Sequence, residues 1–165
     1  MTTDALRSGF RSFMAGFPTG VAIITAVDAD GTPRGMTCSS LCSVTLAPPT
    51  LLACLRTGSP TLAAVLRRGV FAVNLVHGEA RATAELFASG AQDRFDRVRW
   101  RAGTGGPHLP DDAHAVADCA VRRAEPVGDH HVVFGEVLRI AEGDATDPLL
   151  YGMRRYARLP TEVAS

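Results

Sequence analysis

The sequence predicts a mainly β protein, an antiparallel barrel of about six strands with a few short helices. Short apolar or β-branched runs alternate with Gly, Pro and Asp turn signals along most of the chain. Few segments have helical periodicity, and the strands do not alternate with helices as they do in a doubly wound sheet. With 165 residues, of which 46% are hydrophobic, we expect one domain, residues 1–165, with its own core.

An amphipathic helix is predicted first, over residues 4–17. Thr2 or Thr3 can cap it, and its apolar side chains recur at helical spacing. These side chains are Leu6, Phe10, Phe13, Met14 and Phe17. The β-branched run 21–27 predicts a strand, and the turn signals at 28–33 make residues 20–27 and 34–44 a hairpin.

The hydroxyl-rich stretch after this turn is predicted to continue as one strand. Thr37, Ser39 and Ser43 stand at even spacing, which places them on one face. Pro48 and Pro49 then turn the chain. The apolar run 51–55 has the length of a buried strand.

A second helix is predicted over residues 60–68. Ser59 is a strong N-cap, Pro60 suits the first helical position, and Gly69 ends the helix. The start of a helix carries free N–H groups and a positive dipole end, so it can hold a phosphate. Arg56, Ser59 and Thr61 would add a cation and two hydroxyls there, although Ser59 is a good cap with or without an anion.

The next segments are a strand at 70–76 and a helix at 80–89, which Gly90 terminates. Residues 91–101 are charged, and we interpret them as a surface loop or short helix held by Phe95 and Trp100.

The last third of the chain begins with a Gly- and Pro-rich loop at 102–114. Two strands follow at 117–124 and 131–141, and residues 125–129 are the turn between them. Residues 147–159 are predicted to be an arm or a last strand.

Composition excludes several classes of function. A formal net charge of zero argues against a nucleic-acid partner. All 17 basic residues are arginines, so Schiff-base chemistry on a lysine is excluded. No apolar run is long enough for a membrane span, and the first residues lack the apolar core of a signal peptide, so we expect a cytoplasmic protein. The four cysteines are predicted to be reduced and buried, and no metal site is expected.

Common catalytic motifs are also missing from the sequence. It contains no G-x-x-x-x-G-K-[ST], no G-x-G-x-x-G, no H-E-x-x-H and no G-x-S-x-G. What it offers is the hydroxyl-rich strand, the phosphate-ready helix start and a Gly-Asp-His-His turn at 128–131.

Taken together, these segments resemble one family. The run GVAIITAVDADGTPRGMTCSSLCSVTLAPPTLLACLRTGSPT, then GVFAVNLV, LFASGAQDRFD, Trp100, GDHHVVFGEV and DPLLYGMRRYARL occur in the order typical of flavin reductases with the FMN-binding split-barrel fold. The resemblance covers residues 10–159. It implies an antiparallel Greek-key split β-barrel and a homodimer that transfers hydride from NADH or NADPH to FMN or FAD. The reduced flavin would go to a separate flavin-dependent monooxygenase.

The resemblance also implies a set of site residues and no catalytic side chain, because the two cofactors carry the hydride chemistry. The isoalloxazine ring would lie against Met36, Thr37, Cys38, Ser39 and Ser40. The ribityl chain and phosphate would lie against Cys54, Leu55, Arg56, Ser59, Pro60 and Thr61. Phe87, Ala88 and Arg94 would close the flavin site, and His130 would meet the nicotinamide.

Two other functions remain open on the sequence. The chain could be a flavin-binding protein without activity on the same barrel, or a flavoenzyme that keeps its flavin and reduces another small molecule. The hydroxyls of Thr37, Ser39 and Ser40 could be ordinary strand hydroxyls, and Arg94 a solvated surface charge. The residues do not decide between FMN and FAD or between NADH and NADPH.

Overall fold

The computed structural model describes residues 2–144 and 147–159, which form three helices and twelve strands. The helices are α1 (Thr3–Ala15), α2 (Pro60–Arg68) and α3 (Arg81–Ser89). The strands are β1 (Thr19–Gly20), β2 (Ala22–Val27), β3 (Pro33–Cys38), β4 (Leu41–Leu46), β5 (Pro49–Arg56), β6 (Val70–Val76), β7 (Arg101–Ala102), β8 (Pro107–His108), β9 (Ala113–Val127), β10 (His130–Glu142), β11 (Leu149–Gly152) and β12 (Arg155–Arg158).

Seven strands form the main sheet, in the order β3-β2-β6-β9-β10-β5-β4. Every pairing in it is antiparallel. The prediction of a mainly β protein with antiparallel sheets is therefore confirmed. The two outer strands, β3 and β4, are separated along the chain only by Ser39 and Ser40, so these two residues join opposite edges of the sheet.

Two smaller sheets flank the main one. Strands β1, β11 and β12 form a three-stranded sheet, and β7 pairs with β8. The segment 147–159 is thus a hairpin rather than the arm or last strand that the sequence predicts. The segment 102–114 likewise contains the end of β7, all of β8 and the start of β9, instead of a continuous loop.

The local helix signals give the boundaries of α2, whereas the helix predicted over 4–17 ends at Ala15 and the one predicted over 80–89 begins at Arg81. Thr2 caps α1, and the Ser59 hydroxyl accepts a hydrogen bond from the Leu62 N–H at 3.1 Å at the start of α2. Gly69 and Gly90 end α2 and α3 with φ of 68° and 77°, angles that favour glycine.

The single strand predicted over 34–44 is wrong, because the chain changes partners in its middle. Residues 33–38 pair with β2, whereas residues 41–46 pair with β5. Ser39 and Ser40 lie between the two strands, where the Ser40 carbonyl accepts a hydrogen bond from the Cys54 N–H at 3.1 Å. Thr37, Ser39 and Ser43 therefore do not share one strand face. The turn predicted at 125–129 is also too wide, since β9 extends to Val127 and β10 begins at His130.

Strand β2 carries a core on each of its faces. Ala22, Ile24 and Ala26 pack with the α2 side chains Leu62 and Val65. The alternate residues Val21 and Ile23 pack with Ala84 and Phe87 of α3. Because side chains alternate along a strand, α2 and α3 cover opposite faces of the sheet.

Asn74 on β6 anchors the loop that contains β7 and β8. Its side chain is fully buried and donates to the carbonyl oxygens of Ile23 and Pro107 at 3.2 and 3.3 Å and to the Thr25 hydroxyl at 3.1 Å. Its amide oxygen accepts from the Leu109 N–H at 2.9 Å. Asp118 on β9 adds a second anchor, since its carboxylate accepts from the Gly105 N–H at 2.8 Å, and both side chains tie this loop to the sheet.

Helix α1 leaves its apolar stripe in solvent. The exposed fractions of Phe10 and Phe13 are 62% and 75%, that of Phe17 just beyond the helix is 64%, and the helix buries none of its residues. None of the helices in residues 2–144 and 147–159 is long and apolar enough to cross a membrane. Cys42 is exposed, contrary to the expectation that all four cysteines are buried.

Candidate functional site

The candidate site is a cleft between β3 and the end of β5, which do not pair with each other. Among the described residues β3 pairs only with β2, and β5 beyond Ala53 pairs only with β10. On its side away from β2, β3 has no strand partner among the described residues, and neither does β5 beyond Cys54 on its side away from β10. Such edges offer fixed donors and acceptors to a ligand.

A cavity of about 770 Å³ extends from this cleft. Ser39, Ser40 and Cys54 line one wall, and α1 contributes Phe10 and Met14 to another. The volume lies within the range of small-molecule sites, and the wall combines apolar surface with a few polar groups.

A second cavity of about 420 Å³ adjoins the first. Thr37 and Ala88 line it, and Ser39, Tyr151 and Arg154 border both cavities. The predicted ring contacts Thr37, Ser39, Ser40 and Cys54, together with Ala88, are therefore distributed along one continuous groove.

Helix α3 is held against the outer face of β3. The Thr37 hydroxyl donates to the Ala84 carbonyl at 2.6 Å, so this hydroxyl already has an acceptor. A Cβ atom at Gly35 would come within 2.8 Å of the Phe87 ring, which shows how closely the two elements approach. Phe87 is 1% exposed and makes an edge contact with Phe95, so it presents almost no surface to a ligand and packs instead in the core beneath α3.

The predicted phosphate site lies at the start of α2, outside the walls of the two cavities. The side chains of Leu55 and Thr61 are buried, whereas Arg56 and Pro60 are exposed. The Thr61 N–H belongs to the first turn, where backbone donors have no helical acceptor. This end of α2 thus keeps a positive dipole end close to an exposed guanidinium.

The Gly-Asp-His turn lies directly beside this helix start. His130 pairs across the sheet with Arg56, and the Thr57 N–H donates to the Asp129 carbonyl at 2.9 Å. The His130 ring lies 2.8 Å from an Asp129 carboxylate oxygen, and this hydrogen bond lowers the pKa of Asp129. The neighbouring His131 ring contacts the Thr57 hydroxyl at 3.1 Å instead. The structure therefore places His130 next to Arg56 rather than on either cavity wall.

Arginines gather at the far end of β3. Arg34 and Arg67 both pair with Asp28, and Arg34 Nε is buried with no hydrogen-bond partner among the described residues. Burial and the charge of Arg34 lower the pKa of Arg94. Arg94 lines neither of the two cavities.

The cysteines of the cleft are neutral thiols. Cys38 is 4% exposed, and burial raises its pKa to about 11. Burial also raises the pKa of Cys54. At neutral pH both act as small apolar side chains rather than nucleophiles.

Two contributors to the groove escaped the sequence reasoning. The β11–β12 hairpin brings Tyr151 and Arg154 to both cavities, and α1 brings Phe10 and Met14 to the larger one. The helical stripe of α1 was visible in the sequence, but its place beside the cleft depends on long-range packing.

Comparison with known proteins gives a consistent result. The model of the family described as flavin reductase like domain matches residues 14–160. A flavin reductase (NADPH) from Lentzea aerocolonigenes is 57% identical over 150 residues, which cover 89% of this chain and 86% of the relative.

Solved structures agree with the sequence matches. The NADH:FAD oxidoreductase of Streptomyces globisporus C-1027, in complex with NAD and FAD fragments, superposes with a TM-score of 0.89 at 30% identity, covering 99% of this chain and 98% of the other. The styrene monooxygenase flavin reductase of Pseudomonas putida S12 gives a TM-score of 0.84 at 28% identity, covering 93% and 99%.

Proposed function

The chain belongs to the flavin reductase family, and from this premise we propose that it transfers hydride from NADPH or NADH to FMN or FAD and passes reduced flavin to a monooxygenase. It is an NAD(P)H-dependent flavin reductase, as are the named relatives. The observation that carries the site assignment is the open cleft between β3 and β5, which continues into the larger cavity.

The main sheet would close into a split barrel. Its support is the connection of the two edge strands β3 and β4 through Ser39 and Ser40, since a sheet whose outer strands are two residues apart must curl. The cleft would be the split, because β3 and the end of β5 face each other there without pairing. Greek-key closure around α2 accounts for the shared core of β2, β5 and this helix.

The residues present fit a flavin. The cleft edge supplies backbone donors and acceptors for the polar rim of the ring, and Ser39 and Ser40 add hydroxyls. Cys54, as a neutral thiol, allows close contact with an aromatic surface. The start of α2 and Arg56 suit the phosphate, because both present positive charge at that end.

A bound flavin would accept the hydride on its ring. The residues of this chain would hold the flavin in place and stabilise its charge. Backbone N–H groups at the edge of β3 would stabilise negative charge on a reduced ring. The groove would hold the two cofactors at the distance that transfer needs. His130 would contact the nicotinamide from the turn beside Arg56. No side chain has to act as acid or base, which agrees with the neutral cysteines.

The partners follow from the relatives and from the surface. One matched structure is the flavin reductase of a styrene monooxygenase, and this chain would supply reduced flavin to a separate flavin-dependent monooxygenase. A homodimer is supported by the exposed stripe of α1 and by Leu46 and Ile140, which are 86% and 63% exposed. The cytoplasmic location stays a prediction of the sequence.

Steady-state kinetics test this function. Purified protein is mixed with NADPH or NADH and with FMN, FAD or riboflavin, and loss of the reduced-nicotinamide absorbance is followed. We expect turnover that depends on added flavin. Absence of turnover in every pairing would refute the enzyme and leave a flavin-binding protein without activity.

Gel filtration with added flavin separates the remaining alternative. We expect the flavin to dissociate on the column, because a reductase that supplies an oxygenase must release it. Flavin that stays with the protein through the column would favour an enzyme that reduces another small molecule directly.

A further inference from the structure

The β11–β12 hairpin turns through two residues with left-handed backbone conformations. Met153 has φ of 51° and Arg154 has φ of 60°. Residues with a Cβ atom rarely adopt these angles, whereas glycine adopts them without strain. Strained residues of this kind cluster at binding sites, where the surrounding structure holds them. Arg154 is therefore a candidate for a role that glycine could not perform.

The position of Arg154 agrees with such a role. Arg154 borders both cavities, together with Ser39 and Tyr151. It is thus located where a ligand in the larger cavity would continue into the smaller one.

The smaller cavity has an excess of positive charge. Arg81, Arg154 and Arg155 all line it, and among the described residues of its wall Glu85 is the only acidic one. Glu85 pairs with Arg81 at 2.8 Å. Within residues 2–144 and 147–159, Arg154 and Arg155 have no carboxylate within 4.0 Å, so two guanidiniums remain for an anion.

From this arrangement we infer that the smaller cavity binds the 2′-phosphate of NADPH and that Arg154 selects NADPH over NADH. The inference rests on the proposed reductase function. Guanidinium groups bind phosphate through paired hydrogen bonds, and two of them match the charge of a phosphate dianion. The flavin phosphate is assigned to the start of α2, so the cavity remains for the second substrate. NADPH differs from NADH only in the 2′-phosphate.

The aromatic residues of the cavity suit the adenine to which this phosphate is attached. Tyr151 and Tyr156 lie with their ring centroids 5.1 Å apart. Arg81 lies over the Tyr156 ring at 5.5 Å from its centroid, which fixes that side chain. A flat base can pack beside this pair while the 2′-phosphate reaches Arg154 and Arg155.

Two glycine variants of the same turn separate charge from strain. Arg154→Gly removes the guanidinium and relieves the left-handed strain, whereas Met153→Gly relieves strain alone. With saturating flavin, we expect Arg154→Gly to raise the KM for NADPH about tenfold, the usual loss for one charge-assisted contact, and to leave the KM for NADH within about twofold. Both variants should melt at or above the wild-type temperature. Met153→Gly should keep both KM values.

A binding titration, in which no turnover occurs, tests the inference independently of the KM values. Calorimetry with 2′,5′-ADP and with 5′-AMP should show tighter binding of 2′,5′-ADP to the wild type and loss of that preference in Arg154→Gly. Equal KM changes for NADPH and NADH, a larger change for FMN than for NADPH, or no preference for 2′,5′-ADP would overturn the inference. A wild type that oxidises neither coenzyme would instead refute the reductase function, while the titration would still decide the role of Arg154.

Discussion

Ser59 has two roles that substitution can separate. Its hydroxyl caps α2 by accepting from the Leu62 N–H, and the same residue borders the proposed phosphate position. Asp and Asn are both good N-caps, but only Asp adds a negative charge.

We expect Ser59→Asp to raise the dissociation constant for FMN at least about fivefold, because a carboxylate near 4 Å repels the phosphate by about 1 kcal/mol in water. Riboflavin, which lacks the phosphate, should bind as before. Ser59→Asn is the matched neutral control, and both variants should keep the free energy of unfolding. Fluorescence titration measures the two flavins. An equal loss for FMN and riboflavin in Ser59→Asp would remove the phosphate assignment.

The paired histidines of the Gly-Asp-His-His turn give a second test. His130 is next to Arg56, and its ring contacts Asp129, whereas the His131 ring contacts Thr57. His130→Ala should raise the KM for the nicotinamide about fivefold, the size of one lost hydrogen bond, with little change in the KM for flavin. His131→Ala is the control on the adjacent residue. Steady-state kinetics decide, and a larger effect on flavin than on the nicotinamide would contradict the role of His130.

Among the structural elements, those with local signals were predictable. Helix α2 follows from Ser59, Pro60 and Gly69, whose conformational preferences act within a few residues. The break at Ser39 and Ser40 was not predictable, because the exchange of β2 for β5 as the partner strand depends on residues distant in sequence. Local composition looks the same in a continuous strand and in one that changes partners.

The same limit applies to the loop between α3 and β9. A single asparagine in the apolar strand 70–76 does not reveal that its amide will bind Pro107 and Leu109. The candidate site likewise combines a part that the sequence predicted with a part that it did not. The start of α2 was visible in the sequence, whereas Arg154 reaches the groove only because β11 pairs with β1.

The role of Asn74 as an anchor of this loop predicts a large loss of stability. Asn74→Ala removes three donor contacts and leaves the buried Leu109 N–H without its acceptor. We expect the free energy of unfolding to fall by about 2–4 kcal/mol, since buried groups without partners are costly in a low dielectric. Denaturant titration measures it.

Thr104→Ala is the matched control on the same loop. Thr104 is exposed, so this change should stay within about 0.5 kcal/mol. If Asn74→Ala lowered the free energy of unfolding no more than this control does, contacts other than those of Asn74 would hold the loop against the sheet.

At the scale of the whole molecule, the main feature is the exposed apolar surface. The chain carries no net charge, yet the exposed stripe of α1 and the exposed β4 and β10 residues Val44, Leu46, Leu138 and Ile140 are apolar. Exposed apolar surface of this kind is typical of subunit contacts. Since α1 also lines the larger cavity, a second copy seated on α1 would complete the wall of the flavin groove.

This arrangement predicts that one surface charge separates the dimer. Phe13 is 75% exposed, so Phe13→Arg removes no contact of the single chain's core but places a guanidinium in the centre of the stripe. Burial of an unpaired charge in a contact is costly, so we expect the wild type to sediment as a dimer and Phe13→Arg as a monomer with unchanged circular dichroism.

Ser8→Arg is the matched control, because Ser8 is exposed on the opposite side of α1 and lies outside the stripe. It adds the same charge to the same helix and should sediment as a dimer. We also expect the Phe13→Arg monomer to bind FMN more weakly than Ser8→Arg does, because the larger cavity would lose the partner's wall. A wild type that sediments as a monomer at micromolar concentration, or a Phe13→Arg variant that stays dimeric, would show that α1 is covered by something other than a second copy.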